Sequence, residues 1–160
     1  EKPNGECLQW YLKPIVRSLR RLYKGIWYSS TASHLLGRWI YGMLGPVICD
    51  LEAARSLANV PSHSANRLCS MCPIHRVDIG SFNIAPQSHD IPAYLRLAHR
   101  CRDLPTRSER HQFMIDHGVG WSELLCLEYW NPVWFVVVDP MHNLFLGLCQ
   151  RYFRNILGMD

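Results

Sequence analysis

The chain has 160 residues, of which 48% are hydrophobic and 19% charged, with a formal net charge of +4. That apolar content excludes a disordered chain and suffices for one core, while the mild positive charge permits nucleic acid as a partner without arguing for it. No apolar run reaches the roughly 20 residues of a membrane-spanning helix, and seven cysteines, odd in number and irregular in spacing, fit reduced intracellular thiols better than a disulfide frame.

Glu1-Lys2-Pro3-Asn4-Gly5 reads as neither a signal peptide nor an initiator methionine, so the chain is expected to be a piece of a longer protein. Leu8, Leu12, Ile15, Val16, Leu19, Leu22, Tyr23 and Ile26 recur at helical spacing, with Pro14 in the first turn, where its missing N–H costs little. The opposite face carries Lys13, Arg17, Arg20, Arg21 and Lys24. It reads either as a solvated face or as a stripe turned to phosphates. Residues 25–37 read as turn and loop. The apolar stretch 39–49, broken by Gly42, Gly45 and Pro46, predicts a short strand that ends at Asp50.

Residues 52–60 predict a helix with Ala53, Ala54, Leu57 and Ala58 on its inner side, closed by Pro61. From Pro61 to about Pro105 the chain turns irregular, with one short helix expected over 92–102. Thr106 or Ser108 is expected to cap a helix over 109–117, which Gly118 ends. Trp121, Leu124, Leu125 and Leu127 suggest a further helical turn or two. V-W-F-V-V-V at 133–138 reads as a strand buried on both faces, ended by Asp139-Pro140. The segment 142–157 is apolar nearly all round and predicts a mostly buried helix, stopped by Gly158. There is no internal repeat.

Two acids, Asp50 and Asp139, each close an apolar strand-like run, as carboxylates do in enzymes that hold divalent metals for phosphoryl transfer. Each also has a milder reading. Asp139 before Pro140 fits a helix N-cap with proline at the first helical position, and Asp50 could cap the helix that follows it. Cys69-Ser70-Met71-Cys72 is half of a zinc site, since a structural zinc needs four ligands. The local candidates for the rest, His63 and His75, lack the usual spacing, and two ordinary reduced cysteines are the alternative. His89, His99, His111 and His117 read as surface or satisfied histidines, and Cys7, Cys101, Cys126 and Cys149 as packing residues. No glycine-rich phosphate loop, G-x-S-x-G or H-E-x-x-H is present, and the six tryptophans are too spread for a base-stacking platform.

Four ordered blocks carry a resemblance that spans residues 8–160: Y-L-K-P-I-V-R-S-L-R-R-L-Y-K-G, V-I-C-D-L-E-A-A-R-S-L-A-N-V-P-S-H-S-A-N-R-L-C-S-M-C, G-V-G-W-S-E-L-L-C-L-E-Y-W-N-P and V-V-V-D-P-M-H-N-L-F-L-G-L. Together they resemble the CACTA (En/Spm-like) DNA transposases, in the versions carried by fungal genomes. The resemblance implies a mixed, helix-rich α/β fold, an incomplete RNase H-like core with a helical, cysteine-bearing insertion. Residues 8–60 and 121–160 would be core-like and 61–120 insertion-like. By the same resemblance Asp50 matches the second catalytic aspartate of a D-D-E triad and is a ligand for Mg2+ or Mn2+. Cys69 and Cys72 match a cysteine pair thought to share Zn2+ with histidines much further on. A similar pair follows the second aspartate of the related antigen-receptor recombinase. Asp139 and His142 match a D-x-x-H element with an architectural or metal-supporting role.

In such enzymes water attacks the end of the element and the freed 3′-hydroxyl then attacks target DNA. The implied partners are transposon ends and target DNA, with room for a homo-oligomer and no membrane, in the nucleus. The sequence departs from the family at Glu52, where proline is usual, and at Pro140, where a small polar residue is common. The strand with the first aspartate is expected before Glu1, and the glutamate and partner histidines after Asp160. The expectation is a catalytic fragment that is inactive alone. The alternatives are a zinc-stabilised DNA- or protein-binding remnant of a transposon, and a decaying relic with no role.

Overall fold

A computed structural model describes residues 5–81 and 87–159. Residues 1–4, on which most of the N-terminal reading falls, lie outside the described residues, as do 82–86 in the irregular stretch and Asp160. The chain is mixed α/β, with helices dominant and two small sheets. The first helix, α1 (Gly5–Lys24), starts earlier than its apolar spacing suggests, so Pro14 lies inside it rather than in its first turn. Leu12 and Val16 are buried and Leu8 and Leu19 pack beside them, whereas Ile15 and Tyr23 face solvent.

Residues 25–37 are not all loop. Strands β1 (Ile26–Tyr28) and β2 (Arg38–Ile40) pair antiparallel, Trp27 opposite Trp39, with the two indoles edge-on at 5.8 Å. Such aromatic cross-strand pairs stabilise a ribbon that alternation over three residues is too short to announce. Gly37 has φ +81, and a Cβ there would sit 2.5 Å from the Tyr28 carbonyl oxygen, so only glycine fits this turn.

Strand β3 (Val47–Cys49) leads through Asp50 into α2 (Leu51–Ala58). Helix α2 buries Ala54 and Ala58 while Ala53 faces out, and it ends at Asn59, in the left-handed conformation at φ 52, two residues before Pro61. The described residues of the irregular stretch hold one 3-10 turn, Arg76–Asp78. It is followed by α3 (Ile91–Asp103), capped by Asp90, and α4 (Arg107–His117). Helix α4 has a full capping box: Thr106 accepts the Glu109 N–H, and the Glu109 carboxylate accepts from the Thr106 N–H and hydroxyl. Gly118, at φ 75, ends it.

Glu123–Cys126 forms one 3-10 turn, capped by Ser122. Strand β4 (Val136–Val138) then pairs parallel to β3, Val47 opposite Val136 and Cys49 opposite Val138. The strand is shorter than 133–138 because Asn131 Oδ1 accepts the N–H groups of Val133 and Trp134 and holds them in a turn. It is also less covered than expected: Val136 is buried, but Val137 and Val138 are only half-buried. The segment after it, α5 (Met141–Ile156), winds in wide π-type turns over Met141–Cys149 and Tyr152–Ile156. The burial expected of it is not found. Phe145 is 61% exposed and Leu148 65%, because the described residues lay no cover over its apolar sides.

The core has two parts. The larger joins α1, α2, Leu124, Leu127, Trp130 and Val136, and the smaller gathers Tyr94 and Ala98 of α3 with Val119 and Trp121. Leu125 and Cys126 pack against both. A polar seam ties the segments around the larger part. Gln9 is buried and donates to the Ser56 carbonyl while its Oε1 accepts the Glu123 N–H at 2.8 Å. Ser122 Oγ donates to the Leu57 carbonyl, and Asn59 Nδ2 to that of Trp121. Each bond satisfies a group whose burial would otherwise cost about 1–3 kcal/mol.

Candidate metal and nucleic-acid sites

Asp50 and Asp139 follow directly on the last paired residues of β3 and β4, and the Asp139 N–H donates to the Cys49 carbonyl at 2.7 Å. Two acids thus stand at the carboxyl edge of one parallel pair. Asp50 is exposed, and its Oδ1 accepts the Ala53 N–H at 2.8 Å, so it caps α2. Oδ2 has no protein partner among the described residues. Asp139 is engaged at both oxygens: Oδ1 accepts the Met141 N–H at 2.9 Å, and His142 Nδ1 lies 2.6 Å from Oδ2. The His142 bond first, and the Met141 N–H second, hold its carboxyl below the usual carboxylate range. The cap expected at Asp139 is therefore present, with Pro140 next in line.

Among the described residues no group of three or more His, Cys, Asp or Glu gathers as a metal-ligand set. Asp50 can offer one carboxylate oxygen to a divalent cation, which suits Mg2+, an ion that keeps several waters and takes one or two protein carboxylates. Asp139, with both oxygens occupied, is suited to orienting His142 and the start of α5.

Cys69 is half-buried and Cys72 buried, and their side chains are in hydrogen-bond contact. Burial, then the contact with Cys69, raises the Cys72 thiol above its ordinary value, which favours a protonated pair. Two sulfurs supply half of a tetrahedral zinc shell. Neither local candidate completes it: His63 and His75 are both exposed on other parts of the loop. The histidine that the fold brings to the pair is His89. Its N–H donates to the Met71 carbonyl at 2.9 Å, its ring meets Tyr94 edge-on at 5.4 Å, and the Cys69 backbone carbonyl faces its imidazole. Burial, the largest influence, pushes that imidazole below its ordinary value. Its distance from Cys72 along the chain, with an irregular stretch between, gave sequence reasoning nothing to find it by. His99 and His117 are satisfied by ring contacts with Trp121 and Phe113. Cys101 and Cys126 pack as expected, but Cys7 is exposed.

Lys13, Arg17, Arg20, Arg21 and Lys24 are all exposed on α1 and line one shallow groove of about 390 Å³ with Val16, Glu123 and Cys126. The stripe predicted from spacing is thus a single face. Lys13 stands 4.0 Å over the Trp10 ring and 4.0 Å from Glu123 Oε1, so it is the most committed of the five. No helix among the described residues is long and apolar enough to cross a membrane.

Comparison with protein-family models, with curated proteins and with solved structures finds no match to this chain.

Proposed function

We propose that the chain is the central part of the catalytic domain of a CACTA-type DNA transposase, acting in the nucleus with the remainder of that domain. The observation that carries this reading is the pair of acids at the carboxyl ends of two hydrogen-bonded parallel strands, where an RNase H-like sheet keeps its metal-holding carboxylates. The four sequence blocks support it independently. On this reading β3 and β4 belong to an RNase H-like sheet whose other strands come from elsewhere in the protein. Asp50 holds a divalent cation through Oδ2 while its Oδ1 secures α2. Asp139 fixes His142 beside the same edge. A bound Mg2+ would supply charge neutralisation at the scissile phosphate. The α1 stripe meets the DNA backbone, and Cys69 with Cys72 contributes half of a zinc site completed by histidines outside the described residues.

A runner-up reading, a non-catalytic DNA-binding remnant, draws on the fact that Asp50 already has a structural task as a cap. Two measurements separate them. Mn2+ is expected to broaden the amide resonances around Asp50 in the wild-type chain and not in Asp50→Asn. No broadening at Asp50 would overturn the metal role and leave the remnant reading. Plasmid DNA should bind without being cut in Mg2+ or Mn2+, and cleavage by the 160 residues alone would overturn the fragment reading. If all five cations of the stripe contact phosphates, log K should fall with log salt at a slope of about −4.5. A slope near zero removes the stripe from the DNA interface.

A further inference from the structure

A second and larger concavity adjoins the shallow groove toward the start of α1, and the two share Lys13 and Glu123. About 1130 Å³ in volume, it is walled by α1 and α2 on one flank and by the end of α3 and the first two turns of α4 on the other. That exceeds the roughly 300–1,000 Å³ of ordinary small-molecule pockets. Its charge is one-sided. Lys13, Arg55, Arg102, Arg107 and Arg110 line it, against two carboxylates, Glu52 and Glu123. Glu123 is held within the wall, since its Oε1 accepts from Trp121 Nε1 at 3.1 Å and faces Lys13. The arginines converge from α2 and, more than forty residues further on, from the junction of α3 with α4, which a merely solvated face does not require.

Two features prepare the cleft for a ligand. Arg55 is half-buried in its wall and donates through Nη1 to the Pro61 carbonyl at 2.8 Å, yet its Nε is buried with no hydrogen-bond partner. A buried donor left in that state is costly, and a small rotation of the guanidinium toward an anion would relieve it. The Arg102 guanidinium carbon stands 4.7 Å from the centre of the Trp121 ring, and its Nε donates to Asp103 Oδ1 at 2.9 Å, so its fork is held from two sides with both Nη groups left to a ligand. Fixed guanidinium forks match oxyanions with several equivalent oxygens, and phosphate above all.

We propose that this cleft is a phosphate-binding site, with Arg55 at its floor and Arg102 and Arg107 at its mouth. The phosphoryl groups come either from a free polyphosphate or nucleotide or from the backbone of a single nucleic-acid strand. The site uses none of Asp50, Asp139 or His142, so it stands whether or not the nuclease reading does.

Inorganic triphosphate, titrated into the 160-residue chain and followed by calorimetry, is the direct probe. Saturable binding is expected, weakened about tenfold by Arg107→Ala. Arg107 is exposed in the first turn of α4, so this variant should keep the wild-type circular dichroism spectrum. Arg55→Lys, which keeps the charge and loses the fork, should weaken binding by a similar factor. Arg151→Ala, exposed on α5 and away from the cleft, should leave it unchanged. A short oligo-dT that displaces triphosphate identifies the nucleic-acid backbone as the source, and ATP that does so where the oligonucleotide fails identifies a free nucleotide. Absence of saturable binding at millimolar triphosphate overturns the proposal. So does equal weakening by Arg107→Ala and Arg151→Ala, which would mean diffuse attraction to net charge.

Discussion

Asp50 is first of all a helix cap, and that sets how its other role has to be tested. Removing the side chain in Asp50→Ala should destabilise the chain by about 1 kcal/mol through the lost bond to Ala53. Asparagine caps equally well, so Asp50→Asn should unfold in urea within a few tenths of a kcal/mol of wild type. If both variants fall equally, the charge itself and not the cap is what α2 needs. Glu109 makes a comparable case with pH as the variable. Hydrogen bonds from Thr106, its hydroxyl first and its N–H second, hold the Glu109 carboxyl below the usual value. The stabilisation is therefore complete above the ordinary glutamate range near 4.5 and fades as pH falls through the lower folded value. A carboxyl NMR titration should show that low midpoint in the wild type and its return toward 4.5 in Thr106→Val. No movement in the variant would deny Thr106 the part given to it. Both caps were legible as local rules, because Thr106 and its partner are only three residues apart. His89 was not, because what brings it to Cys69 is the path of a loop with no periodicity to read.

Elements whose signal is internal were well placed by the sequence: α2, α3 and α4 all lie within a few residues of where spacing and caps put them. Elements whose existence depends on a partner were not. The β1–β2 ribbon is stabilised by Trp27 against Trp39, a contact across eleven intervening residues, and so β1 read as loop. Strand β4 loses its first half to the side chain of Asn131, a competition between turn and strand that an apolar run conceals. The junction of α2 with the segment after α4 rests on a similar hidden contact. A Cβ on Gly120 would sit 2.2 Å from the Asn59 carbonyl oxygen. Gly120→Ala should therefore destabilise the chain by about 1–3 kcal/mol. Gly45→Ala, with nothing within 4 Å of the added carbon, should stay within about 0.5 kcal/mol of wild type. Equal urea midpoints for the two variants would show that the α2 junction can yield.

Taken whole, the chain is well packed around α1, α2 and α3 and open along α5. Leu144, Phe145, Leu146, Leu148, Tyr152, Phe153 and Ile156 are all exposed, on a helix carrying few charges. Because these side chains stand in water already, Phe145→Ser with Leu148→Ser should leave the urea midpoint nearly unchanged and lower the binding of an apolar dye. A large fall in the midpoint would mean that α5 packs against the core in solution. The sequence showed that this helix is apolar all round but could not show what covers it, since periodicity reports a need for burial and not its fulfilment.

The parallel pairing of β3 with β4 joins residue 47 to residue 136, and this has a consequence in time. During synthesis Asp50 emerges almost together with the Ala53 amide it grips, but its companion Asp139 follows only after 54–138 have been made. Closing so long a loop is slow compared with winding a helix. Refolding should therefore show a fast phase in helical ellipticity and a later one in which the acidic edge is assembled.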